Sequence, residues 1–228
     1  MLEKVLTEFR LALGDRAGSA EADYALGACS AVLGRLDEAE QALRRACEAR
    51  PDYGWARYAL GVVLAQRGRH GEAVSELKRA LKGCGDSSQV SMIHRGLGST
   101  YYTMRQYADA ISHFAQAVEL RPGDAELRVN LGTACLAGGD VERASEELRR
   151  ALEANPELLS ALRNLGTLYL KTRQFEDAVR VLERAVALDP DHSRTLRKLA
   201  LAHYERGDEA QAEAYMRKAI ALDEGHDQ

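Results

Sequence analysis

The chain has 228 residues, of which 46% are hydrophobic, 6% aromatic and 29% charged. Its 31 lysines and arginines stand against 35 aspartates and glutamates, a formal net charge of −4 that argues against general nucleic-acid affinity, which needs a basic excess. No apolar run approaches the roughly 18 residues that cross a bilayer, and the wealth of alanine, leucine, arginine and glutamate favours helices over strands.

Residues 1–19 open with "MLEKVLTEFRLALGD", whose charges interrupt the apolar stretch and rule out a secretory signal. From residue 20 a fixed period takes over. A Leu-Gly pair occurs at Leu26-Gly27, Leu60-Gly61, Leu97-Gly98, Leu131-Gly132 and Leu165-Gly166, and Leu199-Ala200 closes the series, at spacings of 34, 37, 34, 34 and 34 residues. A period of this size marks a solenoid of stacked units. Each unit then has two alanines flanking one bulky residue: Leu43 between Ala39 and Ala46, Leu77 between Ala73 and Ala80, Phe114 between Ala110 and Ala117. Leu148, Leu182 and Met216 hold the same place between Ala144 and Ala151, Ala178 and Ala185, and Ala212 and Ala219. Pro51, Pro122, Pro156 and Pro190 follow and stop the second helix. Small residues at the glycine and alanine positions let two helix backbones approach closely, so the Leu-Gly pair is packing chemistry and not a phosphate loop.

With Tyr101 and Tyr169 three residues past their glycines, this pattern resembles the tetratricopeptide repeat. The resemblance covers 20–53, 54–87, 91–124, 125–158, 159–192 and 193–226, with 1–19 as the second half of a preceding unit and 227–228 as a tail. It implies an all-α, right-handed superhelical solenoid of antiparallel helix pairs. Residues 88–90 are an insertion within "GCGDSSQV" (83–90), a hinge or an ordered longer loop. The sixth unit is degenerate, with Ala200 for glycine and His203 for tyrosine. It is followed by another domain, covered by self-association, or itself the cap.

Enzymatic motifs are missing from the sequence. The six histidines show no metal-ligand spacing, the four cysteines (Cys29, Cys47, Cys84, Cys135) form no C-x-x-C, and neither a Walker loop nor a G-x-S-x-G occurs. No cofactor and no catalytic residue are expected. At about 100° per residue, repeat positions 4, 7, 8 and 11 of the first helix face its partner helix, and positions 2, 5, 6, 9, 12 and 13 point away. The resemblance implies that the latter line a concave groove. In the first three units they include Tyr24, Trp55, Tyr58, Val62 and Met92, an aromatic and apolar lining that marks a binding surface, with local packing of Trp55 and Tyr58 between adjacent units as the less favoured alternative. Later the stripe turns basic and amide-rich: Arg95, Asn130, Thr133, Arg163, Asn164, Thr167, Lys171, Arg194, Arg197 and Lys198.

Asn130 and Asn164 share position 6 of consecutive units. They resemble a short form of the asparagine ladder in the O-linked N-acetylglucosamine transferase superhelix, which implies contacts to a peptide backbone. Asn164, Arg194 and Lys198 also resemble part of the carboxylate clamp of chaperone-binding repeats, but Val129 and Thr133 depart from it. The bland alternative is a solvated face whose charges pair along the helix. The expectation is a cytoplasmic, non-catalytic scaffold that binds an extended acidic or carboxylate-bearing protein segment, with neither nucleic-acid binding nor membrane insertion. Two other readings stay open: the recognition domain of a larger enzyme such as a transferase, and a homo-oligomer assembled through the N-terminal helix, as in some bacterial proteins of this family.

Overall fold

The computed structural model describes residues 19–226, within which all regular structure is helical. The first three helix pairs are α1 (Ala20–Val32) and α2 (Leu36–Ala49), α3 (Gly54–Gln66) and α4 (His70–Ala80), and α5 (Ser87–Thr103) and α6 (Tyr107–Leu120). Three more follow: α7 (Ala125–Gly138) and α8 (Val141–Ala154), α9 (Leu159–Lys171) and α10 (Phe175–Leu188), and α11 (Ser193–Arg206) and α12 (Glu209–His226). These are the six units read from the periodicity. The N-terminal half-unit lies outside the described residues, as do 227–228. The chain divides into two compact halves, Met1–Arg121 and Pro122–Gln228, so that the inserted stretch 83–90 falls inside the first.

One left-handed residue closes every hairpin. Gly34, Gly68, Gly139 and Gly207 have positive φ, and in the third and fifth repeats Arg105 (φ 60°) and Arg173 (φ 59°) take the same place. The next residue's N–H reaches back five residues to close the helix end, from Arg35 to the Ser30 carbonyl, Arg69 to Leu64, Gln106 to Tyr101, Asp140 to Cys135, Gln174 to Tyr169 and Asp208 to His203. This is the Schellman pattern, and it turns the chain tightly enough for the second helix to fold back along the first. The second helices end as the prolines require. Arg50, Arg121, Asn155 and Asp189 donate their N–H to Ala46, Ala117, Ala151 and Ala185, each immediately ahead of a proline.

Packing within each pair rests on the missing side chain. A Cβ added at Gly27, Gly61, Gly98, Gly132 or Gly166 would lie 2.5–2.9 Å from Leu43, Leu77, Phe114, Leu148 or Leu182 respectively. Those five bulky residues are buried. The buried face of the first helices is wider than the expected stripe, because positions 3 and 10 join it, as Ala56 and Val63 or Ala161 and Leu168. The reason is a second neighbour: α3, α5, α9 and α11 each pack on the second helix of the preceding repeat as well as on their own partner. Burying each such leucine contributes about 1.5–3 kcal/mol, and the interleaved rows make one continuous core in each half.

Charge ties supplement that core. Arg57 donates to Glu76 at 2.8 Å and to the Pro51 carbonyl at 2.6 Å, and Arg128 repeats the arrangement with Glu147 at 2.8 Å and Pro122 at 3.0 Å. Each fastens a first helix to its partner and to the turn before it. Buried Glu40 receives Arg44, Arg67 and Arg69 at 2.7–2.9 Å, joining α2 to the α3–α4 turn.

The insertion is absorbed as helix. Asp86 caps α5 by accepting from the Gln89 N–H, and α5 runs to 17 residues where the other first helices have 13 or 14. At its base a side chain on Gly83 would collide with the Asp52 carbonyl, and one on Gly54 with the Cys84 sulfur, so two turns are in close backbone contact there. The sixth repeat is the loosest. Met216 is 39% exposed, where Leu43, Leu77, Leu148 and Leu182 are sealed, and Leu201, Tyr204 and Ile220 are exposed beside it.

A non-glycine residue in the left-handed region costs about 1–2 kcal/mol. Arg105→Gly and Arg173→Gly are therefore each expected to raise stability by about 1 kcal/mol after the greater chain entropy of glycine is deducted. Urea denaturation followed by circular dichroism measures this.

Candidate partner-binding faces

The first helices lie side by side within each half: α3 contacts both α1 and α5, and α9 contacts both α7 and α11. Their outward positions form two faces of different chemistry.

On the C-terminal half the face carries polar rungs. Asn164 donates its amide to the Thr133 hydroxyl at 2.8 Å, and Thr133 donates to the Val129 carbonyl at 2.7 Å. One repeat on, the Lys198 ammonium donates to the Thr167 hydroxyl at 2.6 Å, and Thr167 donates to the Arg163 carbonyl at 2.7 Å. In both cases position 6 of one repeat reaches position 9 of the repeat before it. Asn164 thus bonds to Thr133, and Asn130 is half-buried.

Two of the expected cations are committed internally. Arg163 binds the Asp189 carboxylate and donates to the Thr195 hydroxyl at 3.1 Å, while Arg197 is paired with Asp223. The acids Asp189 and Asp223, from the ends of second helices, went unnoticed in the sequence because they sit far from the stripe. Arg194 is exposed and engages no carboxylate among the described residues. Burial pushes the Lys198 pKa down, and the positive charges of Arg194, Arg163 and Lys171 push it the same way. Cations outnumber anions around that ammonium.

On the N-terminal half the face is aromatic. Tyr24 packs on Tyr53, rings 5.2 Å apart, with the Arg50 guanidinium 3.7 Å over Tyr53. Trp55 and Tyr58 meet edge to face at 6.0 Å. All four rings are half-buried, as is Met92, and Arg95 is exposed. Between α3 and α5 lies a cavity of about 330 Å³ lined by Tyr58, Val62, Ala65, Leu77, Gly96 and Thr100 among others. Gly96 was passed over in the sequence. Its signal was available, since a second glycine two residues before Gly98 is one that the repeat does not demand. Larger concavities on the C-terminal half are lined by alternating arginine and glutamate, as at Glu142, Glu146, Arg149, Arg150 and Glu153, whose charges compensate one another.

Of the cysteines, Cys47 and Cys135 are buried and Cys29 and Cys84 are half-buried. Burial raises the Cys47 and Cys135 thiols to about 11. His94 and His113, from the two helices of the third repeat, approach to 3.0 Å between Nδ1 atoms, and burial lowers both pKa values. No three metal-ligating side chains gather among the described residues, and no helix there is long and apolar enough to cross a membrane.

Three tetratricopeptide-repeat family models match the chain: one over 6–54 and 163–227, a second over 52–123 and a third over 101–168. The chain belongs to the tetratricopeptide-repeat family. Solved repeat structures share its fold. The crystal structure of YrrB, described as a repeat protein with an unusual peptide-binding site, is 23% identical with a TM-score of 0.64, covering 82% of this chain and 95% of that one. The MamA crystal structure is 26% identical with a TM-score of 0.66, covering 73% and 96%. PilF from Pseudomonas aeruginosa is 23% identical with a TM-score of 0.74, covering 86% and 88%. No curated protein matches in sequence. A tetratricopeptide solenoid is built as a protein-interaction scaffold.

The Asn164–Thr133 rung is expected to couple two repeats. Asn164→Ala should cost about 0.5–1.5 kcal/mol in the native chain and almost nothing once Thr133→Ala has been made. A double-mutant cycle in urea reads the difference.

Proposed function

We propose that this repeat protein is a non-catalytic scaffold that holds an extended acidic or carboxylate-bearing segment of a partner protein on its first-helix faces. The observation that carries the reading is the environment of Lys198. A half-buried ammonium whose charged form is disfavoured by burial and by Arg194, Arg163 and Lys171 gains most when an anion arrives. Because Lys198 is already tethered to Thr167 and Arg163 to Thr195, these donors are held in place before binding and lose little side-chain freedom on it. The half-buried Tyr24, Trp55 and Tyr58 give the N-terminal half a rigid apolar face of its own. Asn130, Thr133 and Asn164 present amide and hydroxyl groups suited to a peptide backbone.

The test is titration of a labelled glutamate-rich decapeptide, with a lysine-rich decapeptide as control. The acidic peptide should bind and weaken with added salt. Arg194→Gln with Lys198→Gln should lower its affinity about tenfold while circular dichroism stays unchanged. Equal binding of the two peptides, or an unaltered affinity in the double variant, contradicts the reading.

A further inference from the structure

We propose that the cavity between α3 and α5 is a socket for one aliphatic or methionine side chain of the partner segment, kept open by Gly96 and flanked by Arg95, which receives a carboxylate next to that side chain. The inference rests on the reading of the first-helix faces as the partner-binding surface and adds what one part of that surface selects.

The repeat supplies its own comparison. On the C-terminal half, position 6 of one repeat bridges to position 9 of the preceding one, through Asn164 to Thr133 and Lys198 to Thr167. On the N-terminal half the equivalent places are held by Ala59 and Ala28 between the first two repeats, and by Gly96 and Val62 between the second and third. Gly96 has no side chain to reach across, and Val62 has no hydroxyl to accept. The rung is missing, and the space it would fill remains as a cavity of about 330 Å³ with Leu77, Tyr58, Val62 and Ala65 around it.

Packing does not account for this glycine. A Cβ at Gly98 would lie 2.7 Å from Phe114, whereas one at Gly96 would meet Leu77 at 3.4 Å and Tyr58 at 3.5 Å, which is ordinary contact. Glycine inside a helix lowers its stability, so a glycine without a packing demand exchanges stability for open space.

The lining also states the occupant's charge. The cavity has no carboxylate among its lining residues, and Arg95, exposed at its edge, engages none among the described residues. An apolar side chain fills the socket and an adjacent aspartate or glutamate satisfies Arg95. A basic occupant would be repelled by Arg95.

A displayed library of random twelve-residue peptides tests this, selected against the full chain and against its Gly96→Asn and Gly96→Leu variants. Circular dichroism confirms their helicity, and Gly96→Ala serves as a variant whose added carbon the structure accommodates. The native chain should enrich peptides with leucine, isoleucine or methionine beside aspartate or glutamate. Both larger substitutions should erase the apolar position and keep the acidic one. Replacing the apolar residue of the best peptide by alanine should weaken native binding about tenfold and leave binding to Gly96→Leu nearly unchanged. Acidic peptides without an apolar position, or the same apolar position from all three proteins, overturn the socket while leaving the scaffold reading intact. Failure of the native chain to enrich any acidic peptide overturns both.

Discussion

Where the first helix of each repeat crosses the second, the room that a methyl group would need is already taken. Leucine or phenylalanine stands against bare backbone at Gly27, Gly61, Gly98, Gly132 and Gly166. This contact sets how close the two helices come, and their closeness sets which other positions are buried. The left-handed turn and the proline stop deliver the helices to that contact, but neither would hold them together. In the sixth repeat Ala200 replaces the glycine, and Met216 is left partly in solvent. The one repeat that departs from the contact is the one whose bulky residue is not sealed.

Because the first helices are held so firmly on one side, their other side is free to vary. The two halves use that freedom differently. The C-terminal half spans neighbouring helices with hydrogen bonds from Asn164 and Lys198, while the N-terminal half leaves an apolar gap at Gly96. Two glycines two residues apart, Gly96 and Gly98, therefore play opposite parts: one admits a phenylalanine from within the fold, and the other leaves a space on the outside. A residue's type alone does not separate these parts; its place in the period does.

The fold was legible because a period of 34 residues repeats the same packing problem, and six copies of one answer cannot be mistaken. The helix pairs, the proline stops and the role of Gly166 all follow from it. The left-handed arginines were not legible as such, since Arg105 and Arg173 carry no sign of their backbone angle; only alignment with Gly34 or Gly139 reveals it. The outward stripe was legible as positions but not as partnerships. Arg163 and Arg197 read as part of a basic stripe, yet Asp189 and Asp223 reach them from the C-terminal ends of the second helices of their own repeats, a relation that periodicity within a helix does not encode. Likewise the pairing of Asn164 with Thr133 depends on the offset between neighbouring first helices, which only the packed structure supplies.

The central claim is that a repeat glycine is required only by the bulky residue opposite it, and a double-mutant cycle at Gly166 and Leu182 tests it most directly. In the native chain Gly166→Ala should destabilise by about 1–3 kcal/mol, since its Cβ would be forced into Leu182. In a Leu182→Ala background, itself weakened by about 2–5 kcal/mol, the same change should become neutral or stabilising, because the clash is gone and alanine favours helix. The same penalty in both backgrounds would contradict the account.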